Sequence, residues 1–307
     1  MASLGEYEAL RERGYRAMTR GELRAAASDL EQARRMADEL VVEDPEIADK
    51  AEVNLAMIRV QLHEDALAER GLREVLLRTA NEDVARLAAH CLAKVLSRQS
   101  QHDKALRFAA LSLEKAQVLG DRLKVCSALQ LLGQVHVNRS SLDEALARYG
   151  EAIAILEESP LPDPSLHAFY WCVATDMLGY VLVLLGRREE GQALLEKAYA
   201  RSKDHGLVHL VAETAVDLSF AALQEERLDD AARYGAEALA IAESEGLEME
   251  RRNAYYLLGE TASRRGDDAA ADEYFRRLAA YYPQVPFLGE FLRDYDISSL
   301  VNLKEFA

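Results

Sequence analysis

The residues that could carry chemistry in this chain are seven histidines, three cysteines and a few acidic pairs. His205 and His209 stand four apart, a spacing that places two imidazoles on one helix face for a metal ion. Gly206 lies between them at a predicted turn, which breaks that spacing. His90 and Cys91 are adjacent, so on a helix their side chains point in different directions and form no thiolate–imidazole pair. Cys91, Cys126 and Cys172 form no C-x-x-C motif and lie in apolar helical stretches. That odd, sparse set argues for buried thiols in a reducing compartment rather than a disulfide framework. Glu189-Glu190, Asp229-Asp230 and Asp267-Asp268 fall at predicted helix starts, where they complement the helix dipole. The sequence has no phosphate loop, no dinucleotide fingerprint and no nucleophile elbow. The expectation is a non-enzyme that uses no cofactor and no metal.

The elements around these residues are predicted to be helices almost throughout. Of 307 residues, 50% are hydrophobic, 29% charged and 7% aromatic, with 6 prolines and 16 glycines. The formal net charge is -16, which argues against nucleic acid and anionic membrane as partners. The most apolar run, Met177 to Leu185, is too short to span a bilayer. The first six residues carry no basic or apolar leader pattern, and a cytoplasmic location is expected.

One pattern recurs seven times. A small residue is followed twelve residues later by a second, and seven further on by a third. The first set is Gly14, Ala56, Ala93, Gly133, Gly179, Ser219 and Gly259; the second is Ala26, Ala68, Ala105, Ala145, Gly191, Ala231 and Ala271. The third is Ala33, Val75, Ser112, Ala152, Ala198, Ala238 and Leu278. Leucine precedes the first position in every unit except the first, which has Arg13. Small residues at these intervals let two antiparallel helices cross closely, with the leucine in the seam. Turns are marked by Gly21, Gly186 and Gly266, and elsewhere by helix-start residues at Gln101-His102-Asp103 and Ser140 to Glu144. Helix pairs are predicted at 6–39, 46–79, 82–118, 121–158, 165–203, 207–245 and 248–281.

The last unit carries Tyr255-Tyr256-Leu257-Leu258-Gly259, Gly266-Asp267-Asp268, Ala271, Phe275 and Pro283; the fourth carries Leu132-Gly133, Ala145, Tyr149 and Ala152. In these residues the chain resembles the tetratricopeptide repeats. Ser219, Gly235 and Ala109 depart from the pattern, as does Arg13. Successive units are spaced 42, 37, 40, 46, 40 and 40 residues apart. That spacing resembles the long-helix variety of kinesin light chains and bacterial regulators. The resemblance implies an all-α, right-handed superhelical solenoid of seven helix pairs, its concave face lined by first helices. Transferring the family's ligand-facing positions implies a groove containing Arg11, Tyr15, Asn54, Met57, His90, Lys94, Arg98, Gln130, Gln134, Asn138, Asp176, Tyr180, Glu213, Phe220, Tyr256, Glu260 and Arg264. Tyr15, Tyr180 and Phe220 are its candidate aromatic anchors, with packing into the next repeat as the alternative.

The chain is read as repeats one to four (1–158), a Pro-rich loop or hinge (159–164), repeats five to seven (165–283) and a C-terminal capping helix with tail (284–307). Phe287, Leu288, Phe291 and Leu292 form the expected apolar face of the cap, and Ser299 to Leu303 is expected to pack back on it. The functional expectation is a non-catalytic scaffold that holds a peptide or helix of another protein in the groove. One alternative is a peptide- or ligand-sensing bacterial regulator whose superhelix changes pitch. It ranks second because repeat one starts near residue 6, leaving no room for an N-terminal effector. The other is a subunit that self-associates into a homo-oligomer through the C-terminal tail.

Overall fold

The computed structural model describes residues 3–19, 22–41, 46–295, 297 and 303–304. Gly21 and the 298–302 part of the tail lie outside them. The described residues form an all-α fold that divides into two compact units, one ending at Arg139 and one beginning at Ser140.

The first unit contains α1 (Leu4–Thr19), α2 (Leu23–Leu40), α3 (Ile47–Gln61), α4 (Asp65–Arg78), α5 (Glu82–Arg98), α6 (His102–Leu119) and α7 (Arg122–Asn138). The second contains α8 (Leu142–Glu158), α9 (Pro164–Leu184), α10 (Arg188–Asp204), α11 (Val208–Gln224), α12 (Leu228–Glu245), α13 (Glu248–Arg264), α14 (Asp268–Ala279) and α15 (Leu288–Asp294). These bounds follow the predicted pairs to within about two residues. In each unit consecutive helices pack on one another. The odd-numbered helices form an inner row, with α3 on α5 on α7 in one unit and α9 on α11 on α13 in the other.

The two rows differ in sequence because they differ in burial. On α11 almost every residue from Leu210 to Leu223 is buried, so that helix is enclosed around most of its circumference. On α12 only Ala231, Gly235, Ala238 and Ala242 are buried, one stripe at helical spacing. The repeated small residues sit at the crossings: Ala26, Ala68, Ala105, Ala145 and Ala231 are all fully buried. At the α9–α10 crossing two glycines face one another. A Cβ added to Gly191 would stand 2.6 Å from the Gly179 carbonyl oxygen. Where Arg13 replaces the usual leucine, its guanidinium reaches across to Asp29 of α2, with Nε 2.7 Å from Oδ2.

Helix starts are capped where a carboxylate or amide precedes the first turn. The Asn81 side chain accepts from the backbone N–H of Asp83 and Val84, and Asp163 accepts from Ser165 and Leu166. Asp121 and Asp267 act likewise. The expected start residue Ser141 makes no such bond. Its neighbour Ser140 has turned into the left-handed region instead, at φ 62.

That conformation recurs at the turn inside each pair from the second to the seventh, at His63, Ser100, Ser140, Gly186, Glu226 and Gly266. Four of the six carry a side chain that opposes it. Ser100→Gly is therefore expected to raise the unfolding free energy by about 0.5–1 kcal/mol, measured by urea denaturation. No gain would mean that the unfolded chain's added freedom cancels the relief.

The Pro-rich stretch at 159–164 lies inside the second unit and leads into α9, with Asp163 as its cap and Pro164 in its first turn. By length and composition alone α9 could cross a membrane, yet 61% of its apolar window is buried against the rest of the unit. The expected apolar face of the cap is only partly used. Leu292 is buried, but Phe287 is 75% exposed and Phe291 48% exposed. The helix begins only at Leu288, so Phe287 stands before it at φ 69, and Phe291 stacks on Tyr295.

Candidate functional site

The inner row of the second unit gathers the polar side chains that an apolar row should exclude. Asp176 and Tyr180 are four apart on α9, and Glu213 and Asp217 are four apart on α11, so each pair shares one helix face. Asn253 comes from the neighbouring α13. Into this space projects Lys304. Its Nζ lies 3.0 Å from Asp176 Oδ2, 2.7 Å from Glu213 Oε1 and 2.7 Å from Asp217 Oδ2. Asp176 Oδ2 and Glu213 Oε1 accept hydrogen bonds from the ammonium, and the Asp217 carboxylate pairs with it by charge.

The residue before the lysine is held by its backbone. The Leu303 N–H donates to the Tyr180 hydroxyl oxygen at 3.1 Å, and Asn253 Nδ2 donates to the Leu303 carbonyl at 3.0 Å. The Leu303 side chain is buried. Behind it the Tyr180 ring packs on Phe220, with centroids 5.7 Å apart. Tyr180 and Phe220 are both buried, so neither is an open aromatic anchor; they fill the seam between α9 and α11. What Tyr180 offers to the surface of the site is its hydroxyl.

A buried ammonium is stable only when paired, and this one is paired three times. Burial works to lower the Lys304 pKa, but Asp176, Asp217 and Glu213 outweigh it and hold the amine charged well above its ordinary range. Burial, and then the Asp176 carboxylate, push Asp217 far above the usual carboxylate range, although Lys304 pulls the other way. Asp176 Oδ1 and both Asp217 carboxylate oxygens are sealed from solvent and accept no hydrogen bond from the described residues. Glu213 forms the open edge, its side chain 27% exposed. The site is acidic, deep and lined by one hydroxyl and one amide placed for a peptide backbone.

Residues 83–158 match the family model described as tetratricopeptide repeat. That segment carries tetratricopeptide repeats. No curated protein matches the sequence. Among solved structures, a Rap protein complexed with Competence and Sporulation Factor superposes with a TM-score of 0.72 at 17% identity, over 94% of this chain and 78% of that one. The apo form of RapI gives 0.70 at 15% identity over 91% and 98%. The Rap conjugation gene regulator of plasmid pLS20, in complex with the Phr* peptide, gives 0.67 at 16% identity over 96% and 76%. At these identities the likeness is one of fold.

Elsewhere in the repeats the expected groove residues are largely engaged with one another. The Tyr15 hydroxyl donates to Asn54 Oδ1 at 2.6 Å, tying α1 to α3. Arg11 pairs with Glu8, and Met57 packs into the core of its own unit. Arg98 Nη1 donates to the Val60 carbonyl at 2.8 Å and its guanidinium pairs with Asp65. Arg264 on α13 does the same within the second unit, donating to Leu223 O at 3.0 Å and pairing with Glu226 at 2.7 Å. Both arginines close the end of the preceding inner helix. Gln134 donates to Asn138 Oδ1 and Asn138 to Ser97 Oγ, each at 3.1 Å. Gln130 and Lys94 are half-buried on α7 and α5, while Tyr256 and Glu260 are buried on α13.

His90 and the thiols are placed for structure. Burial pushes the Cys91 and Cys126 thiols up to about 11 and raises Cys172, so none is a thiolate at neutral pH. His205 follows the end of α10 and His209 lies in α11, with Gly206 left-handed between them at φ 65. Burial, with Lys94 and Arg86 nearby, pushes His90 down to about 3. The folded repeat therefore keeps His90 neutral where the unfolded chain, with its ordinary pKa of about 6.5, takes up a proton. Stability is expected to fall as pH drops from about 6.5 towards 3, with His90 contributing about 1 kcal/mol per unit. His90→Gln should flatten that part of the profile in urea titrations at fixed pH. An unchanged slope would clear His90 of the effect.

The sequence reading included Asp176, Tyr180 and Glu213, but it missed Asp217, Asn253, Leu303 and Lys304. Asn253 precedes Gly259 by six residues, as Glu213 precedes Ser219, so repeat register alone could have found it.

Proposed function

We propose that the chain is a non-catalytic scaffold that captures a peptide segment of another protein on the inner row of α9, α11 and α13. The observation that carries this reading is the grip on Leu303, whose N–H and carbonyl are held from opposite sides by Tyr180 and Asn253. Such a pair recognises an extended backbone whatever chain supplies it. The repeats supply the architecture, since stacked helix pairs present an extended row of side chains along one face. The fold likeness to Rap proteins in complexes with Competence and Sporulation Factor and with the Phr* peptide supports peptide as the ligand class. It also favours, as a second reading, a regulator that responds to the bound peptide.

Selection of a random peptide display library on the full chain tests the scaffold. Peptides should be retained, and Asn253→Ala and Glu213→Gln should each weaken their binding by about tenfold, the loss of one or two good hydrogen bonds. Retained peptides that are indifferent to both changes would move the site off this face, and failure to select any would sink the reading.

A further inference from the structure

We propose that the carboxylate cluster is a lysine-selective peptide pocket, for a segment in which an apolar residue precedes lysine, and that the chain's own C-terminal Leu303–Lys304 is its resident competitor. This deepens the peptide-scaffold reading and rests on it. The contacts given above for Leu303 and Lys304 are ones that a separate peptide could make. Two are to the backbone of Leu303, one is burial of an apolar side chain, and the rest are to the lysyl ammonium.

The chemistry selects lysine over its analogues. An ammonium presents three donors around a point, and the carboxylates here converge on a point from Asp176, Glu213 and Asp217. A guanidinium is planar and longer, with its donors in a fork, and does not place three N–H groups at one centre. A neutral side chain would leave the buried Asp176 carboxylate without a counter-charge. Tyr149 and Glu250 also border the cluster, and burial is the main reason both are pushed up, with Lys304 pulling each of them down.

The occupant is attached to the molecule it occupies. A tethered segment competes at an effective concentration set by its tether, commonly about millimolar, so a free peptide must beat that figure to be seen. The opening at Glu213 is the route by which the amine can leave.

The test uses the full chain and a fluorescein-labelled peptide of the sequence Ser-Ser-Leu-Val-Asn-Leu-Lys-Glu-Phe-Ala, which copies residues 298–307. Binding is followed by anisotropy to the wild-type chain and to Lys304→Gln, after circular dichroism has shown that the variant keeps its helicity. The variant is expected to bind the peptide at least tenfold more tightly than wild type does. Replacing the peptide's lysine by arginine or glutamine should cost at least tenfold in return. Equal affinity of both chains, no binding to either, or indifference to the peptide's lysine would each overturn the proposal.

A second measurement needs no variant. Acetylation with acetic anhydride, read by peptide mass spectrometry, should modify Lys304 at least tenfold more slowly than the exposed Lys197, and added peptide should restore its reactivity. A Lys304 that reacts like Lys197 in the free chain overturns the inference. A Lys304 that stays protected against saturating peptide makes the tail a fixed clasp, which overturns the competitor role while leaving the scaffold reading to its own display test. Protection that is lost on dilution would assign the lysine to a second copy of the chain and overturn the intramolecular assignment.

Discussion

Replacing Gly191 by alanine is expected to lower the unfolding free energy by about 3 kcal/mol. Helix propensity points the other way, since alanine is favoured over glycine within a helix by about 1 kcal/mol. Sterics decide the sign. The new Cβ would stand 2.6 Å from the Gly179 carbonyl oxygen and 3.0 Å from the Val183 backbone nitrogen, and a Cβ on Gly179 would stand 2.9 Å from the Gly191 carbonyl. These obstacles are backbone atoms, so α9 and α10 must separate along their crossing and lose contacts on both sides. Gly71 is the internal control. There a Cβ would meet the Glu52 carboxylate, the far end of a flexible side chain that can swing away. Gly71→Ala should cost under about 1 kcal/mol. Equilibrium denaturation of both variants checks the contrast. Equal, small effects would show that the α9–α10 crossing has slack.

Phe275→Ala is expected to cost about 4 kcal/mol. The ring is 1% exposed and fills the space left open by Gly259, where a Cβ would approach its Cε1 to 2.4 Å. The two residues are one packing unit written on two helices. Gly259→Ala should therefore also destabilise by about 2–3 kcal/mol, through overpacking rather than a cavity. Phe275→Leu together with Gly259→Ala should cost less than the sum of the two changes made singly. The missing ring edge gives the new methyl room, and the double-mutant cycle should return a favourable coupling of about 1 kcal/mol. Strict additivity would mean that ring and glycine do not share that space.

The helix pairs were legible because their cause is local. A small residue every twelve and then seven positions has one geometric use, and the helices fall where those residues place them. Helix ends were less legible. The serine expected to cap α8 does not cap, because its neighbour Ser140 absorbs the turn in a left-handed conformation that the residue type disfavours. The site was legible only where it follows repeat register, at Asp176, Tyr180 and Glu213. Asp217 alone reads as one acid in an apolar helix. Its meaning comes from Lys304, which lies 128 residues from Asp176 and 91 from Glu213, and no periodicity links the three. The tail was expected to lie on the cap; its described residues, Leu303 and Lys304, instead contact α9, α11 and α13. An apolar segment can satisfy any apolar face, whereas an ammonium among carboxylates has one address.

Gly206 and Gly246 each stand left-handed at the border of a pair, at φ 65 and φ 71, with nothing within 4 Å of where a side chain would begin. Between them lies the complete pair α11 and α12. Cutting the chain at both glycines severs no packed side chain at the cut points. Each pair presents to the next a face like the one it receives, so a copied segment would meet neighbours of familiar shape. The architecture can therefore lengthen by duplication, one pair at a time. The lysine pocket is exempt from that freedom, because it draws on three successive inner helices and on a tail of fixed reach. A pair added between α9 and α13 would lengthen the row and take the pocket apart.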